Sequence, residues 1–477
     1  MQTVTNIASF TDAKAGLTTS LLVASALLAL LIAATMPGLP TTFAFSGLAL
    51  VFAFFRVNVF LYAVIFLLPL SPVVSTGLPL RNISTFVQLL MFTGLFLRQL
   101  REGQPIRKWI LGSRLKQLAF LLVGILLVCT FVFNHASTSS WRGFSEFLAG
   151  FCLFLTVTGW VRSQEEVELL LRLVLSSSIL LSIFGFCQAA AGSFTEFYEW
   201  LYPNLMENLG AWTGRITSVL NYPNSLAGFL DLILPIALGL LLVRTTRNSR
   251  LLAAAALACG AAALVLTASR GGFASFLAEL LLAAVFLTQR ATSRKWLLLA
   301  GLAVAVVGVL MFFGFVRSPW VQEDESAAMR LLFWGFASSL FLSSPLVGVG
   351  YGNFRALYEI PGIASGIFDV HNLYLQLLAE TGLIGFTAFF FMIVHVIRKC
   401  LRALKRQTHD LEAVVNFAAL AAVLSVLLHG FVDFLFIVSP QFTLLFWLVL
   451  ALVAVADRWK AAPHDSRTDG ESAWLAR

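Results

Sequence analysis

Apolar runs long enough to cross a bilayer recur along the whole chain, separated by short polar breaks. About fourteen can be marked by length and apolarity. They lie near residues 17–36, 42–55, 58–75, 83–98, 117–133, 144–161, 168–191, 226–243, 251–268, 272–288, 296–316, 373–396, 413–433 and 437–456. Each predicts a helix, because a segment in lipid must satisfy its own backbone amides and carbonyls. The second run is short and the last two almost touch, so the pattern predicts an all-α, polytopic membrane helix bundle of about 12–14 spans. The first run follows Lys14 and closes on small residues, as a signal peptide would. Its length and the loop pattern below make it a retained first helix.

The polar breaks alternate in basic content. One set holds Arg56; Arg98 to Lys116; Arg162; Arg244, Arg247 and Arg250; Arg290, Arg294 and Lys295; and Arg398 to Arg406. The intervening set is poor in Lys and Arg: Pro37–Thr41, Thr76–Asn82, Asn134–Gly143, Gly192–Asn224, Ala268–Gly271, Arg317–His371 and the last hairpin. Short basic loops stay cytoplasmic, so both termini are expected inside and the second set outside. The expected organisation is one transmembrane domain over residues 1–456, a long periplasmic loop over 317–371, and a cytoplasmic polar tail over 457–477. Within the long loop, Ser326 is placed to cap a helix reaching about Leu342, too short to span and too apolar for water.

Composition agrees with this reading. The 477 residues are 59% hydrophobic and 12% charged, with mean hydropathy +0.88, and a soluble domain carries roughly twice that charged fraction. The net charge of +8 belongs to topology and anionic headgroups, not to nucleic acid. The cysteines lack metal-ligand spacing and imply no disulfide framework.

Four ionisable residues then stand out, because all fall on the outer side: Arg215, Arg270, Arg330 and His371. Cationic groups at a membrane surface, each beside an apolar run, point to an anionic ligand. Guanidinium forks suit a diphosphate, and a histidine supplies a proton acceptor near neutrality. Arg215 precedes Asn221-Tyr-Pro-Asn224, where Asn224 is a natural N-cap. Ser269-Arg270-Gly-Gly272 forms an outer hairpin. Pro345-Leu-Val-Gly-Val-Gly-Tyr-Gly-Asn-Phe354 lacks the strand and lysine of a nucleotide loop, and predicts a turn packed closely over the bundle. His371 and Asn372 open the next span, where the helix dipole is expected to hold the imidazole neutral. Asp369 is an alternative base. The embedded acids Asp231, Glu279 and Glu380, with Glu146 and Asp433 nearer outer ends, either pair locally or form a transport path. The transport alternative calls for broken helices or inverted repeats, and the sequence shows neither. His429 with Asp433 is the one helix-face pair among the remaining histidines.

In this order, Arg215 with Asn221–Asn224, Ser269–Gly272, the Arg330–Trp334 helix, Pro345–Phe354, and His371-Asn-Leu-Tyr-Leu-Gln376 with Glu380-Thr-Gly-Leu-Ile-Gly385 resemble the O-antigen ligase/polymerase superfamily over roughly residues 210–396. The resemblance implies a GT-C-like membrane glycosyltransferase of the bacterial inner membrane that inverts without metal or cofactor. It implies a glycan donor on undecaprenyl diphosphate, used at the periplasmic face. The acceptor would be lipid A-core in a ligase, or a growing glycan in a polymerase of O-antigen or exopolysaccharide. It further implies that Arg215, with Arg270 or Arg330, holds the diphosphate, that His371 is the base, and that Asn224 and Asn372 support them.

Overall fold

A computed structural model describes residues 57–68, 92, 96, 111–134, 137–191, 215–220, 222–290, 325–358, 369–406 and 410–461. The described elements are α1 (Val57–Leu67), α2 (Arg114–Phe131), α3 (Thr138–Trp160), α4 (Gln164–Ala191), α5 (Pro223–Leu242), α6 (Arg247–Thr267) and α7 (Arg270–Arg290). They continue with α8 (Glu325–Ser343), α9 (Phe354–Leu357), α10 (Leu373–Leu404), α11 (Asp410–His429), α12 (Leu435–Val438), α13 (Pro440–Ala456) and a closing 3-10 turn (Asp457–Ala461). Nine of the described helices are long and apolar enough to cross a membrane, and each coincides with an apolar run in the sequence. The protein is an all-α polytopic membrane bundle. The runs at 17–36, 42–55 and 296–316, nearly all of 83–98, and both termini lie outside the described residues.

Helices α5 and α13 form the buried centre. Helix α5 packs on α6, α7 and α11, and α13 packs on α3 and α11. Trp447 of α13 is fully buried and edges onto Phe147 and Phe151 of α3. It lies over Gly150, where a Cβ would run into the indole ring. Helix α10 packs on α2, α8 and α11. Helix α8 begins one residue before Ser326 and ends at Ser343, close to the expected span.

One feature overturns the sequence reading. Helix α10 is broken at Gly382, whose backbone is left-handed (φ 60°). The glycine-rich segment after α8 fills the break. Val349 N and Gly350 N donate to the carbonyls of Ala379 and Glu380 at 2.9 and 2.8 Å. Leu383 N and Ile384 N donate to the carbonyls of Pro345 and Leu346 at 2.9 and 3.1 Å. Two carbonyls and two amides at this break therefore have protein partners, as a helix break at membrane depth requires. A Cβ on Gly348 (φ 68°) would lie 2.5 Å from Thr381 N, so only glycine lets the two backbones meet. The Glu380 carboxylate completes the joint by accepting from Gly352 N at 2.9 Å, Phe354 N at 3.1 Å and Gln376 Nε2 at 2.9 Å. A carboxylate held by three donors is a structural anchor, unlike the ion site a transporter would place at such a break.

Candidate active site

At one end of the bundle, four chain segments bring their polar side chains together. The α6–α7 turn is the first. Ala268 ends α6 in a left-handed conformation (φ 48°), and Ser269 Oγ accepts from Gly272 N at 3.3 Å, so α7 starts at once with Arg270 exposed. The second is the stretch 215–220, tied to that turn by Ile216 N donating to Leu266 O and by Arg215 Nε donating to Thr267 O at 2.8 Å. Gln188 Oε1 accepts from both Thr217 N and Ser218 N at 2.9 Å, which fixes this stretch against α4.

Asn224 joins the second segment to the third. Tyr222 is the N-cap of α5 and Pro223 its first residue, so Asn224 is not the cap that the sequence suggests. Its side chain does something else. Asn224 Oδ1 accepts from Arg215 Nη2 at 3.1 Å, and Nδ2 donates to Asp433 Oδ2 at 2.8 Å. Asp433 lies in the turn between α11 and α12, buried, with Oδ1 accepting from Phe434 N at 2.8 Å.

The fourth segment carries His371, whose Nδ1 is 3.2 Å from Asp433 Oδ1. A neutral imidazole that donates from Nδ1 to the carboxylate leaves Nε2 as the proton acceptor. His371 is left-handed (φ 51°), an uncommon backbone for a side chain of this size. Its neighbours enforce it. Trp334 Nε1 donates to Val370 O at 3.0 Å, and Val370 N donates to Gln376 Oε1 at 3.1 Å. Asn372 Oδ1 caps α10 by accepting from Tyr374 N and Leu375 N, and Asn372 Nδ2 donates to Phe431 O. The Phe333 ring packs 6.2 Å from the imidazole, placing α8 and its Arg330 beside it. Asp369 spends both oxygens on Arg355, through Nε at 2.8 Å and through Nη2. That pairing removes Asp369 as an alternative base and makes it an anchor for the His371 segment.

The charges act on one another. Burial lowers the Arg215 pKa, the neighbouring charges of Arg330 and Arg270 lower it further while Asp433 opposes, and the result is about 10. Arg215 thus stays cationic at neutral pH, within the field of both other arginines. Burial pushes Asp433 up, but the hydrogen bond and charge of His371, with His429 and Asn224, hold it well below the usual carboxylate range. For His371, burial pushes down, yet the hydrogen bond and charge of Asp433, helped by Asp369 and opposed by Arg330, raise it above 6.5. The expected lowering by the helix start is overridden, because Asn372 occupies the first amides and a full carboxylate is closer than the dipole.

All four outer residues singled out from sequence are therefore neighbours here, with Asn224 and Asn372 beside them. Asp433 is the residue the sequence left unassigned. Its helix-face pairing with His429 does not form, because α11 ends at His429 and that ring bonds Asp231 Oδ2 at 2.9 Å. Glu279 accepts from Ser425 Oγ at 2.5 Å. Among the described residues, no three His, Cys, Asp or Glu side chains converge as a metal site would require.

Residues 253–390 match the family described as O-antigen ligase. The match spans α6 to the first part of α10 and includes Arg270, Arg330 and His371; Arg215, Asn224 and Asp433 fall outside it. It supports the O-antigen ligase/polymerase superfamily, glycosyltransferase-like enzymes of polysaccharide biosynthesis that use lipid-linked glycans, and a multi-pass bacterial membrane protein. No curated protein gives a significant match to the chain.

Proposed function

We infer, from the O-antigen ligase domain and the polar chain that runs from Arg215 through Asn224 and Asp433 to His371, that this protein moves a glycan from undecaprenyl diphosphate to an acceptor hydroxyl. The acceptor is lipid A-core, the enzyme is a GT-C-like transferase of the inner membrane, and the site faces the periplasm. The proposed layout keeps one transmembrane domain over residues 1–456 and a cytoplasmic tail.

The observation that carries the reading is the Arg215–Asn224–Asp433–His371 chain, since it couples the proposed diphosphate-binding arginine to the proposed base through one amide and one carboxylate. In the proposed reaction the acceptor oxygen attacks the anomeric carbon on the side opposite the diphosphate. The new C–O bond forms as the bond to the diphosphate oxygen breaks, and the leaving group keeps that electron pair. His371 Nε2 takes the hydroxyl proton, and Asp433 stabilises the imidazolium that results. Such general-base help is worth about 10²–10⁴ in rate. Arg215, Arg270 and Arg330 stabilise charge growing on the diphosphate, in surroundings where electrostatic terms count for more than in water.

The same chemistry serves a polymerase, in which a growing glycan supplies the hydroxyl. The glycan phenotype of a deletion strain separates the two. Lipid A stripped of long chains, with polymer left on its carrier, assigns ligation; single-repeat capping assigns polymerisation. Purified protein that releases no undecaprenyl diphosphate from a glycan donor, whichever acceptor is offered, would overturn the reading.

A further inference from the structure

At the end of the bundle remote from His371, a cavity of about 180 Å³ opens between α2 and α10. Arg114, His395, Lys399, Arg402, Arg406 and Asp457 line it. Four permanent cations thus surround one carboxylate, and that carboxylate already holds Lys399 Nζ at 3.1 Å. Like charges turned into one concavity repel unless an anion sits among them. The α2 end adds to this field, since Ser113 caps that helix and its first residues, Arg114 and Leu115, line the cavity, placing the positive end of the helix dipole there. The cavity lies roughly 40 Å along α10 from Leu373, so the diphosphate site does not account for it.

The side of α10 below the cavity indicates what kind of anion fits. Phe391 and Val394 are 53% and 38% exposed. Their spacing of three places them on one side of the helix, within a membrane span and just before His395 at the cavity. A polar anion in water would use the cations and ignore these apolar side chains. An amphiphile uses both, and basic pockets between spans suit phospholipid headgroups.

We propose that this cavity seats the phosphate of an anionic phospholipid whose acyl chain lies along Phe391 and Val394. Arg402, on the last turn of α10, and Arg406, just beyond its end, carry the recognition, because both line the cavity and guanidiniums hold phosphate oxygens in forked pairs. Lys399 is held by Asp457 and supplies charge without contact geometry.

The test is native mass spectrometry of the purified full-length protein with equimolar phosphatidylglycerol and phosphatidylcholine. The wild type is expected to retain phosphatidylglycerol at least about tenfold over phosphatidylcholine, and an Arg402→Gln, Arg406→Gln double variant to bring that ratio within about twofold. Neither residue belongs to the proposed catalytic site, so glycan transfer by the folded variant should continue. Equal retention of the two lipids by the wild type overturns the proposal, whatever becomes of the variant. A folded variant with an undiminished ratio also overturns it. Inorganic phosphate at millimolar concentration is expected to leave the bound lipid in place. Displacement by phosphate alone would overturn the lipid assignment and make the ligand a soluble phosphate compound.

Discussion

Asp433 and His371, 62 positions apart in sequence, meet at 3.2 Å and share a proton-bearing contact. The carboxylate raises the histidine above 6.5, so the imidazole is a stronger base than a free one but must lose its proton before it can act. The rate of transfer should therefore fall on the acid side, with a midpoint above pH 6.5, and level off as pH rises. Asp433→Asn keeps the shape and removes the charge, so that midpoint should move to lower pH while the plateau drops on the order of 10²-fold. pH–rate profiles of both proteins decide this. An unmoved acid limb in the variant would detach Asp433 from the chemistry.

His371→Ala should abolish transfer while expression and donor binding persist, since the arginines that hold the diphosphate remain. A purified variant with full activity would end the base assignment.

Asn224 offers a test of the link itself. Its amide is oriented by having an acceptor turned to Arg215 and a donor turned to Asp433. Asn224→Asp cannot donate to Asp433 and sets two carboxylates side by side, whereas Asn224→Gln keeps both functions on a longer stem. Turnover should fall at least about tenfold in the aspartate variant, with partial recovery in the glutamine variant. Equal rates in both would mean that Asn224 only fills space.

The spans were legible because twenty apolar residues in a row have few other uses, and loop charge gave the sidedness that put Arg215, Arg270, Arg330 and His371 in one place. Asp433 was not legible as a partner of His371, since nothing local marks a carboxylate whose contact arrives from another helix. The break in α10 was hidden for a similar reason. Gly382 lies within a span-length, mostly apolar segment, and its partner, the Pro345–Gly350 stretch, is distant in sequence. Local pattern reports what a segment does alone, and both features exist only once two segments touch.

That joint predicts a stability effect separate from activity at His371. Gly348→Ala would force a methyl against the Glu380–Thr381 backbone and strain a left-handed residue, costing about 1–3 kcal/mol. Thermal unfolding of the detergent-purified variant should begin at clearly lower temperature than wild type, whereas Gly335→Ala, on the open side of α8 with nothing near its Cβ, should be neutral or slightly stabilising. Matching melting curves for Gly348→Ala and wild type would show that the close approach is not needed.

The arginines give the sharpest separation of chemistry from topology, and Arg270 is the right one to change. Arg215 already spends Nε and Nη2 on Thr267 and Asn224, so lysine there disrupts protein contacts whatever the ligand. Arg270 is exposed at the start of α7, where an interfacial anchor would need only a long stem and a cation. If it instead holds a diphosphate through a forked pair, lysine keeps the charge and loses the geometry. Arg270→Lys should then cost at least about tenfold in turnover, near 1.4 kcal/mol of transition-state stabilisation. The measurement is an in vitro rate on matched amounts of folded protein, with EDTA present, because arginines that carry the leaving group leave no task for a divalent cation. A wild-type rate in the lysine variant would return Arg270 to the role of anchor, and strict dependence on a divalent cation would take leaving-group stabilisation away from all three arginines.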